Sequence, residues 1–411
     1  MGGDRWINGP IGAGASRRIT REAARTALVL VPHVVAGTRL ADLLALFEGD
    51  ERVQVLFTVP DDDGAWSGAA EYARDLGGLV VPWSQAVRHE FDLVLAASFR
   101  SVDRVRGPVL VVPHGAGLAK SRLRPRRGGP APVHGLDRSL LVRDGRVVAA
   151  ALCLGHDTEL DLLRGSCPEA VPKAVVTGDI CLDRMVASAP HRAEYRRALG
   201  VPDDRSLFTI SSTWTTRSVF GAHPGVYRSL TREAAEHGDR VAAVLHPNAW
   251  AVHGPWQIRS WLADSLRAGL VLVPPEEGWR AVVVASDAVL GDHGSTTQYA
   301  AALGRRTALV PPLEELRPGG LADLLLGTAS RFDPGTSPRR QLLRAPDDHR
   351  ELAGAISSRP GQAATLVRRT AYRLLDLPEP AWPAPNDPVP AFHPAPGPRV
   401  PGTPRQRAST T

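Results

Sequence analysis

A strand, a loop, a helix and a second strand follow one another within residues 286–311, and this unit constrains the fold more than any other stretch. The apolar residues 282–290 predict a buried strand, and residues 291–297 predict a tight polar loop. Residues 298–303 predict a helix, and the apolar run 307–310 predicts the second strand. Units of this kind build parallel sheets, so the pattern predicts an α/β fold.

Short apolar runs alternate with helix-forming segments on both sides of a turn-rich break at residues 200–206. The alternation predicts two Rossmann-like halves with parallel sheets, residues 25–200 and residues 201–377. Residues 1–24 are rich in Gly and Arg and predict a flexible leader. Residues 378–411 hold 11 of the 36 prolines. They predict a disordered tail, because such a segment buries too little apolar surface to offset its ordering entropy.

Length and composition predict a globular protein rather than a membrane-spanning one. The 411 residues are 43% hydrophobic, which allows two domains and a tail. No run reaches the roughly 18 apolar residues of a membrane helix, and the N-terminus lacks the apolar core of a secretory signal. The three cysteines are odd in number and too widely spaced for a C-x-x-C metal pair. We expect a cytoplasmic protein, with peripheral association at the inner face of the membrane as an open alternative.

The net charge of +6 does not by itself indicate nucleic-acid binding. The basic residues are scattered and no basic helix carries interleaved aromatic residues, so we expect no nucleic-acid partner. A phosphate-bearing small substrate or an anionic membrane surface also suits this charge. No Asp-x-Asp stands where a metal-dependent transferase needs one, and residues 61–63, all aspartate, predict a solvated turn. We therefore expect neither a metal nor a cofactor.

The polar loop at residues 292–296 lies where a predicted strand ends and a helix begins. The free backbone N–H groups and the positive dipole end of a helix N-terminus favour a phosphate, and ligands of open parallel sheets bind at this edge. The alternative is that Ser295 or Thr296 only caps the helix. Three further loops follow predicted strands: P-H-G-A-G-L-A-K at 113–120, S-S-T-W-T-T-R-S at 211–218 and H-P-N at 246–248.

In order and spacing, these loops resemble those of the CDP-glycerol glycerophosphotransferases of teichoic acid synthesis. That family typically shows W-H-G-T-P-L-K, G-N-P-R-x-D, A-P-T-W-R, H-P and S-D-x-x-I-T-D-Y-S-S. The resemblance covers roughly residues 105–312 and implies a GT-B fold, in which two Rossmann-like domains face each other across a cleft. The chain departs from the family pattern at His293-Gly294, which replace Tyr-Ser, at Asp179, which replaces Asn, and at Pro113, which replaces an aromatic residue.

The resemblance implies a metal-independent transferase. It would move glycerol phosphate or a related polyol phosphate or sugar from a nucleoside-diphosphate donor to a hydroxyl of a polymer or lipid-linked acceptor. His114 is the predicted general base, because imidazole titrates near neutral pH. The alternative is a histidine that only hydrogen-bonds a neighbouring strand. His246 is predicted to face the donor phosphates, as its counterpart in the family does, with a turn residue fixed by Pro247 as the alternative.

The predicted donor site is completed by the phosphate-binding loops of both halves. Lys120, one of only two lysines, is predicted to hold a donor or acceptor phosphate. Ser295 and Thr296 are predicted to take the pyrophosphate, and Asp292 to orient His293 or a hydroxyl of the donor. The full set of predicted donor and phosphate residues is Lys120, Thr213, Arg217, Asp292, His293, Gly294, Ser295 and Thr296.

Other functions remain open from the sequence alone. A UDP-sugar glycosyltransferase or 2-epimerase of the same fold also binds pyrophosphate at a Gly-Ser loop that opens a helix. A non-catalytic binding protein on this fold is the second alternative, with the Pro-rich tail recruiting a partner. The third alternative, binding of nucleic acid, rests on the isoelectric point alone.

Overall fold

The computed structural model describes residues 6–12, 17, 19–21, 25–61, 68–120, 135–311 and 316–394. The strands of the first half are β1 (Arg25–Leu30), β2 (Val53–Thr58), β3 (Leu93–Ala96), β4 (Val109–Val111), β5 (Val142–Arg143), β6 (Arg146–Val147), β7 (Ala151–Leu154) and β8 (Ala174–Val176). Its helices are α1 (Val34–Leu44), α2 (Ala69–Asp75), α3 (Trp83–Ala86), α4 (Arg138–Leu141), α5 (Asp157–Ser166), α6 (Ile180–Ala187) and α7 (Arg192–Ala198).

The second half repeats the alternation of strands and helices. Its strands are β9 (Leu207–Ser212), β10 (Arg240–Leu245), β11 (Val271–Val273), β12 (Ala288–Gly291), β13 (Arg306–Leu309) and β14 (Ser330–Arg331). Its helices are α8 (Val219–Ala222), α9 (Gly225–Glu236), α10 (Pro247–Trp261), α11 (Ala263–Arg267), α12 (Trp279–Ala285), α13 (Ser295–Ala302), α14 (Leu321–Thr328), α15 (Pro338–Arg344), α16 (Arg350–Ile356) and α17 (Ala363–Leu375).

Each half is built on a six-stranded parallel sheet. The strand orders are β2-β1-β3-β4-β7-β8 and β11-β10-β9-β12-β13-β14, and β5 and β6 form a separate antiparallel hairpin. The central strands are mostly apolar, as in β1, where Ala27, Leu28, Val29 and Leu30 are fully buried. A parallel strand covered on both faces needs such a continuous apolar run. This architecture confirms the predicted α/β fold with two parallel-sheet halves.

The parallel strands bring the polar loops of each half to one edge. In the first sheet the chain leaves β1 at residues 31–33 and β4 at residues 112–114. In the second sheet it leaves β9 near residue 213, β10 at residue 246 and β12 at residue 292. Because the carboxyl ends of parallel strands meet at the same edge, these loops gather into one region in each half.

The strand predicted for residues 282–290 is wrong in its first half. Residues 279–285 form α12, and the strand β12 begins only at Ala288. The apolar run misleads because α12 is buried on nearly all sides, between α7 and α13, and a helix without a polar face has no 3.6-residue pattern to reveal it. The following helix begins at Ser295 rather than at residue 298.

The last long helix returns to the first half of the chain. Residues of α17 such as Val367 and Tyr372 belong to the same apolar core as β1 and α1. The Tyr372 hydroxyl also donates to Asp50 Oδ2 at 2.8 Å. The sequence analysis assigns residues up to 377 to the second half. The structure places this helix on the first sheet, because its apolar face completes that core.

Residues 378–394 pack along the folded protein, so the predicted disorder is wrong for this part of the tail. Val389 is 2% exposed, its carbonyl accepts from the Tyr195 hydroxyl at 2.6 Å, and its N–H donates to Ser188 Oγ at 2.9 Å. Phe392 packs against the core of the second half, close to Gly278. The proline-rich composition therefore obscures one buried and one partly buried apolar side chain. Residues 395–411 lie outside the described residues.

Part of the predicted flexible leader is also packed. The N–H of Ile7 donates to Gln85 Oε1 at 2.8 Å, and Gln85 Nε2 donates back to the Ile7 carbonyl at 2.9 Å. Ile11 is 3% exposed in the core of the first half. These contacts correct the prediction for residues 6–12, whereas residues 1–5, 13–16, 18 and 22–24 lie outside the described part of the chain.

We expect Val389→Asp to lower the free energy of unfolding by about 3 kcal/mol or more, because it buries a carboxylate in an apolar cluster. Pro390, the next residue, is exposed. Pro390→Asp is therefore the matched control and should change the free energy by less than about 1 kcal/mol. Urea denaturation followed by circular dichroism measures both variants. Equal stability of the two variants would contradict the packed position of Val389.

No helix in the part of the chain that the structure describes has the length and apolar character required to cross a membrane.

Candidate functional site

A cavity of about 620 Å³ lies between the two halves. Its volume is in the range of small-molecule sites, about 300–1,000 Å³. Helix α1, the loop after β4, the end of β10 and the N-terminus of α13 all contribute to its wall. The structure brings most of the predicted site residues to this cavity: His114, Lys120, Thr213, His246, His293, Gly294, Ser295 and Thr296. Asp292 and Arg217 do not line it.

His114 stands in the first half, in the loop after β4. One ring nitrogen hydrogen-bonds the backbone of Ala97, and this bond leaves the other nitrogen as the acceptor of the neutral ring. Burial between the two halves lowers the pKa of His114 to about 4, and the nearby charges of Arg39 and Lys120 act in the same direction. The side chain stays accessible from the cavity. His114 is therefore neutral at pH 7, with one nitrogen available to take a proton.

His246 faces the same cavity from the second half, where it caps the N-terminus of α10. Its Nδ1 accepts a hydrogen bond from the N–H of Asn248 at 3.1 Å. The neutral ring therefore carries its proton on Nε2, which makes Nε2 a donor. Burial, and after it the proximity of His114, lower the pKa of His246 to about 4. The two histidines thus have opposite hydrogen-bonding roles.

His33 is a third histidine of this region that the sequence analysis missed. It caps α1, and its Nδ1 accepts from the N–H of Ala36 at 3.1 Å. Its ring lies edge-on to the ring of His114, with 6.1 Å between the centroids. Burial, and then the charges of His114 and His246, lower the pKa of His33 to about 3. A sequence signal exists, because Pro-His follows a buried strand at residues 32–33 as it does at residues 113–114.

The N-terminus of α13 offers unused hydrogen-bond donors to the cavity. Gly294 is the N-cap, and Ser295 and Thr296 begin the helix. Neither their backbone N–H groups nor their hydroxyls have a partner within the residues that the structure describes. First-turn N–H groups of a helix have no intrahelical acceptor, so they are free to hold an anion. Ser295 and Thr296 both line the cavity, and phosphate binding at this helix end stays a prediction.

The two halves touch at this phosphate loop. A Cβ on Gly115 would lie 2.5 Å from Ser295 Oγ, so any larger residue at 115 would require the Ser295 side chain to move. This close approach places the loop that carries His114 directly beside the start of α13.

Asp292 is buried behind the cavity wall, where its carboxylate connects the loops that follow β9 and β12. It is 1% exposed, and its Oδ2 accepts from the Thr213 N–H at 2.9 Å, the Thr213 hydroxyl at 2.8 Å and the Val219 N–H at 3.3 Å. Its Oδ1 accepts from the Gly294 N–H at 3.1 Å. The carboxylate therefore holds the loop after β9 against the loop after β12. This role differs from the predicted one of orienting His293 or a hydroxyl of the donor.

Asp179, one of the departures from the family pattern, lies in the interior between the halves. Its Oδ2 accepts from the Tyr299 hydroxyl at 2.7 Å, and its Oδ1 accepts from the N–H of Leu182 at 2.8 Å. Burial raises the pKa of Asp179. Since Tyr299 belongs to α13, the bond links the first half to the phosphate-binding helix of the second.

Within the described ranges, no group of three or more His, Cys, Asp or Glu side chains is arranged to hold a metal ion. Of the aspartates predicted to form a solvated turn at residues 61–63, Asp62 and Asp63 lie outside those ranges.

The sequence matches no protein-family model and no curated protein. Solved structures nevertheless share its fold. The wall teichoic acid polymerase TagF superimposes with a TM-score of 0.57 at 11% identity, over 87% of this chain and 89% of the TagF chain. The UDP-GlcNAc 2-epimerase of Neisseria meningitidis superimposes with a TM-score of 0.50 at 15% identity, over 85% of this chain and 100% of the epimerase. At these identities the comparisons show a shared fold, and they confirm the two-domain GT-B architecture.

Proposed function

We propose that this protein is a metal-independent GT-B transferase. It moves glycerol phosphate, or a related polyol phosphate or sugar, from a nucleoside-diphosphate donor to an acceptor hydroxyl. The observation that carries the proposal is the pairing of His114 and His246 across one cavity, with complementary hydrogen-bonding roles, next to the free N-terminus of α13. A group transfer needs a base for the acceptor hydroxyl and donors for the departing phosphate, and this pairing supplies both.

The residues divide the reaction between the two halves. For a glycerol-phosphate donor, the acceptor oxygen forms a new bond to the β-phosphorus, and the bond from that phosphorus to the nucleoside monophosphate breaks. The proton of the acceptor hydroxyl passes to the free nitrogen of His114. The Nε2–H of His246 and the N–H groups of Ser295 and Thr296 hold the departing phosphate, which carries away the electron pair of the broken bond.

Helix-dipole and imidazole donors stabilise negative charge on phosphate without a metal ion, which is why the proposed reaction is metal-independent. TagF is a wall teichoic acid polymerase, and one of its structures was soaked with CDPG. CDP-linked polyols are therefore the first donors to test, with a polymer or lipid-linked acceptor. The likeness to UDP-GlcNAc 2-epimerases favours a second candidate, in which the donor is a UDP-sugar.

A thermal-shift panel of CDP-glycerol, CDP, UDP-GlcNAc, UDP and GDP tests the donor. We expect the ligands with one nucleobase to raise the melting temperature more than the ligands with the other nucleobases do. The reason is that a ligand that binds only the folded state stabilises it by mass action. A shift with UDP-GlcNAc and none with CDP-glycerol or CDP would support the second candidate and reject the first. The absence of any shift at millimolar concentration would reject nucleotide binding altogether.

The contribution of His246 is tested with a matched pair of variants. His246→Ser removes the Nε2–H donor, whereas the short hydroxyl can still cap α10, so we expect about tenfold weaker nucleotide binding. His156 also caps a helix, with Nδ1 accepting from the Thr158 N–H at 3.0 Å, but it does not line the cavity. His156→Ser should leave the affinity unchanged. Isothermal titration calorimetry measures the nucleotide affinity of both variants.

A further inference from the structure

A buried guanidinium with unpaired nitrogens lies against the cavity. Arg39 of α1 is 6% exposed and lines the cavity wall. Its Nη2 donates to the Tyr299 hydroxyl at 3.2 Å, whereas its Nε and Nη1 are buried and have no hydrogen-bond acceptor within the described chain. Buried polar groups in folded proteins almost always have a partner, and an unpaired charged donor is costly. These two donors therefore point to an acceptor that the chain itself does not supply.

The carboxylates around Arg39 do not accept from its two free donors. Asp42 Oδ2 lies 3.6 Å from Arg39 Nη1, beyond hydrogen-bond distance. Asp42 also forms ion pairs with Arg184 and Arg280. Asp179 lies near Arg39 as well, but its Oδ2 accepts from the Tyr299 hydroxyl and its Oδ1 from the N–H of Leu182. Within the described chain, neither carboxylate therefore forms a hydrogen bond with Arg39 Nε or Nη1.

We infer that Arg39 binds an anionic oxygen of a substrate, with its Nε and Nη1 as donors, and so forms a second anion subsite beyond the N-terminus of α13. Its partner Tyr299 lies four residues after Ser295 on α13, so the backbones of these two residues are about 6 Å apart along the helix axis. A planar guanidinium with two free donors suits a phosphate or carboxylate oxygen. The inference deepens the proposed function, because it rests on the same cavity and assigns a further part of its substrate.

The anionic group has two possible sources, the diphosphate of the donor and a phosphate on the acceptor. Calorimetric titrations of the full chain with inorganic pyrophosphate, CDP, UDP and glycerol 3-phosphate separate them. We expect Arg39→Gln to bind pyrophosphate about tenfold to a hundredfold more weakly, and Arg39→Lys to fall between it and the unaltered chain. Weaker CDP or UDP binding by Arg39→Gln assigns the donor, and weaker glycerol 3-phosphate binding alone assigns the acceptor.

Arg184→Gln is the matched control. It removes a guanidinium from the same cluster, but Arg184 does not line the cavity and it already pairs with Asp42 and with the Asp387 carbonyl. We expect its pyrophosphate affinity to stay within about twofold of the unaltered chain. Wild-type affinity of Arg39→Gln for all four probes would overturn the inference, and so would equal losses in Arg39→Gln and Arg184→Gln.

Nuclear magnetic resonance keeps the inference testable if Arg39→Gln does not fold. In protein labelled with 15N-arginine, the Nε–H signal absent from Arg39→Lys identifies Arg39. This signal should shift on saturation with pyrophosphate, and an unchanged signal would overturn the inference. The proposed function fails separately: pyrophosphate binding that depends on Arg39 without any nucleotide binding keeps the subsite and rejects the transferase. Nucleotide binding that is unchanged in Arg39→Gln would reject the subsite and leave the proposed transferase in place.

Discussion

Replacement of His114 by alanine should lower turnover by about 100-fold to 10,000-fold, while nucleotide affinity stays within about threefold. The reason is the ring's hydrogen-bonding state. The bond to Ala97 fixes one nitrogen, burial lowers the pKa of the imidazole, and the second nitrogen is free to accept the acceptor's proton. The phosphate donors of α13 and His246 remain in place in the variant, so binding of the nucleotide should survive.

Release of the nucleotide product in the presence of acceptor measures turnover, and calorimetry measures affinity. His156→Ala serves as the control, because it removes a helix-capping histidine outside the cavity. Unchanged turnover in His114→Ala would remove His114 from the reaction. A parallel loss of affinity and turnover would instead assign His114 to substrate binding.

The pH profile gives an independent check on the same residue. A base works in its neutral form, so activity is retained above its pKa and lost as the pH falls through it. Burial, together with the charges of Arg39 and Lys120, lowers the pKa of His114 to about 4. We therefore expect kcat/KM to stay level from pH 8 to about pH 5, where an unperturbed histidine would already show a decline near its pKa of about 6.5. A decline centred near 6.5 would contradict a pKa lowered by desolvation and by the charges of Arg39 and Lys120.

The sequence predicted the parts of the site that depend on local chemistry. The loops at residues 113–120, 246–248 and 291–297 each combine a strand end with residue types that are able to bind phosphate or transfer protons. Parallel sheets bring such loops to one edge, and the structure places them around one cavity. The order of the motifs was enough to predict that these loops gather at one cavity, because each loop can be recognised from its own residues.

The sequence did not predict the parts that depend on packing between distant segments. His33 was missed although Pro-His follows a buried strand there as it does at residues 113–114. Only the fold brings the two histidine rings together, with 6.1 Å between their centroids. Arg39 looks like an ordinary residue of an amphipathic helix, and only its burial against Tyr299 reveals its unpaired nitrogens. The packing of α17 against the first sheet likewise depends on which of the two apolar cores is left uncovered by the other helices. Periodicity along the chain carries no information on that choice.

Asp292→Ala is expected to lower the free energy of unfolding by about 3 kcal/mol or more and to weaken nucleotide binding at the same time. The buried carboxylate accepts four hydrogen bonds, from two groups of Thr213, from Val219 and from Gly294. Alanine leaves these donors unpaired in the interior. Since these donors belong to the two loops beside the α13 N-terminus, loss of the carboxylate also releases the loop that holds the phosphate.

Asp333 offers a matched control, because its Oδ1 accepts from the Gly335 N–H at 2.8 Å in an exposed turn. Water can replace that bond, so Asp333→Ala should cost less than about 1 kcal/mol and leave nucleotide binding unchanged. Denaturant unfolding and calorimetry on both variants separate two roles for Asp292. Loss of stability together with affinity supports a carboxylate that holds the loops. Loss of affinity at unchanged stability would mean that Asp292 contacts the donor directly, as the sequence analysis predicted, and that the loops beside α13 are held in place without it.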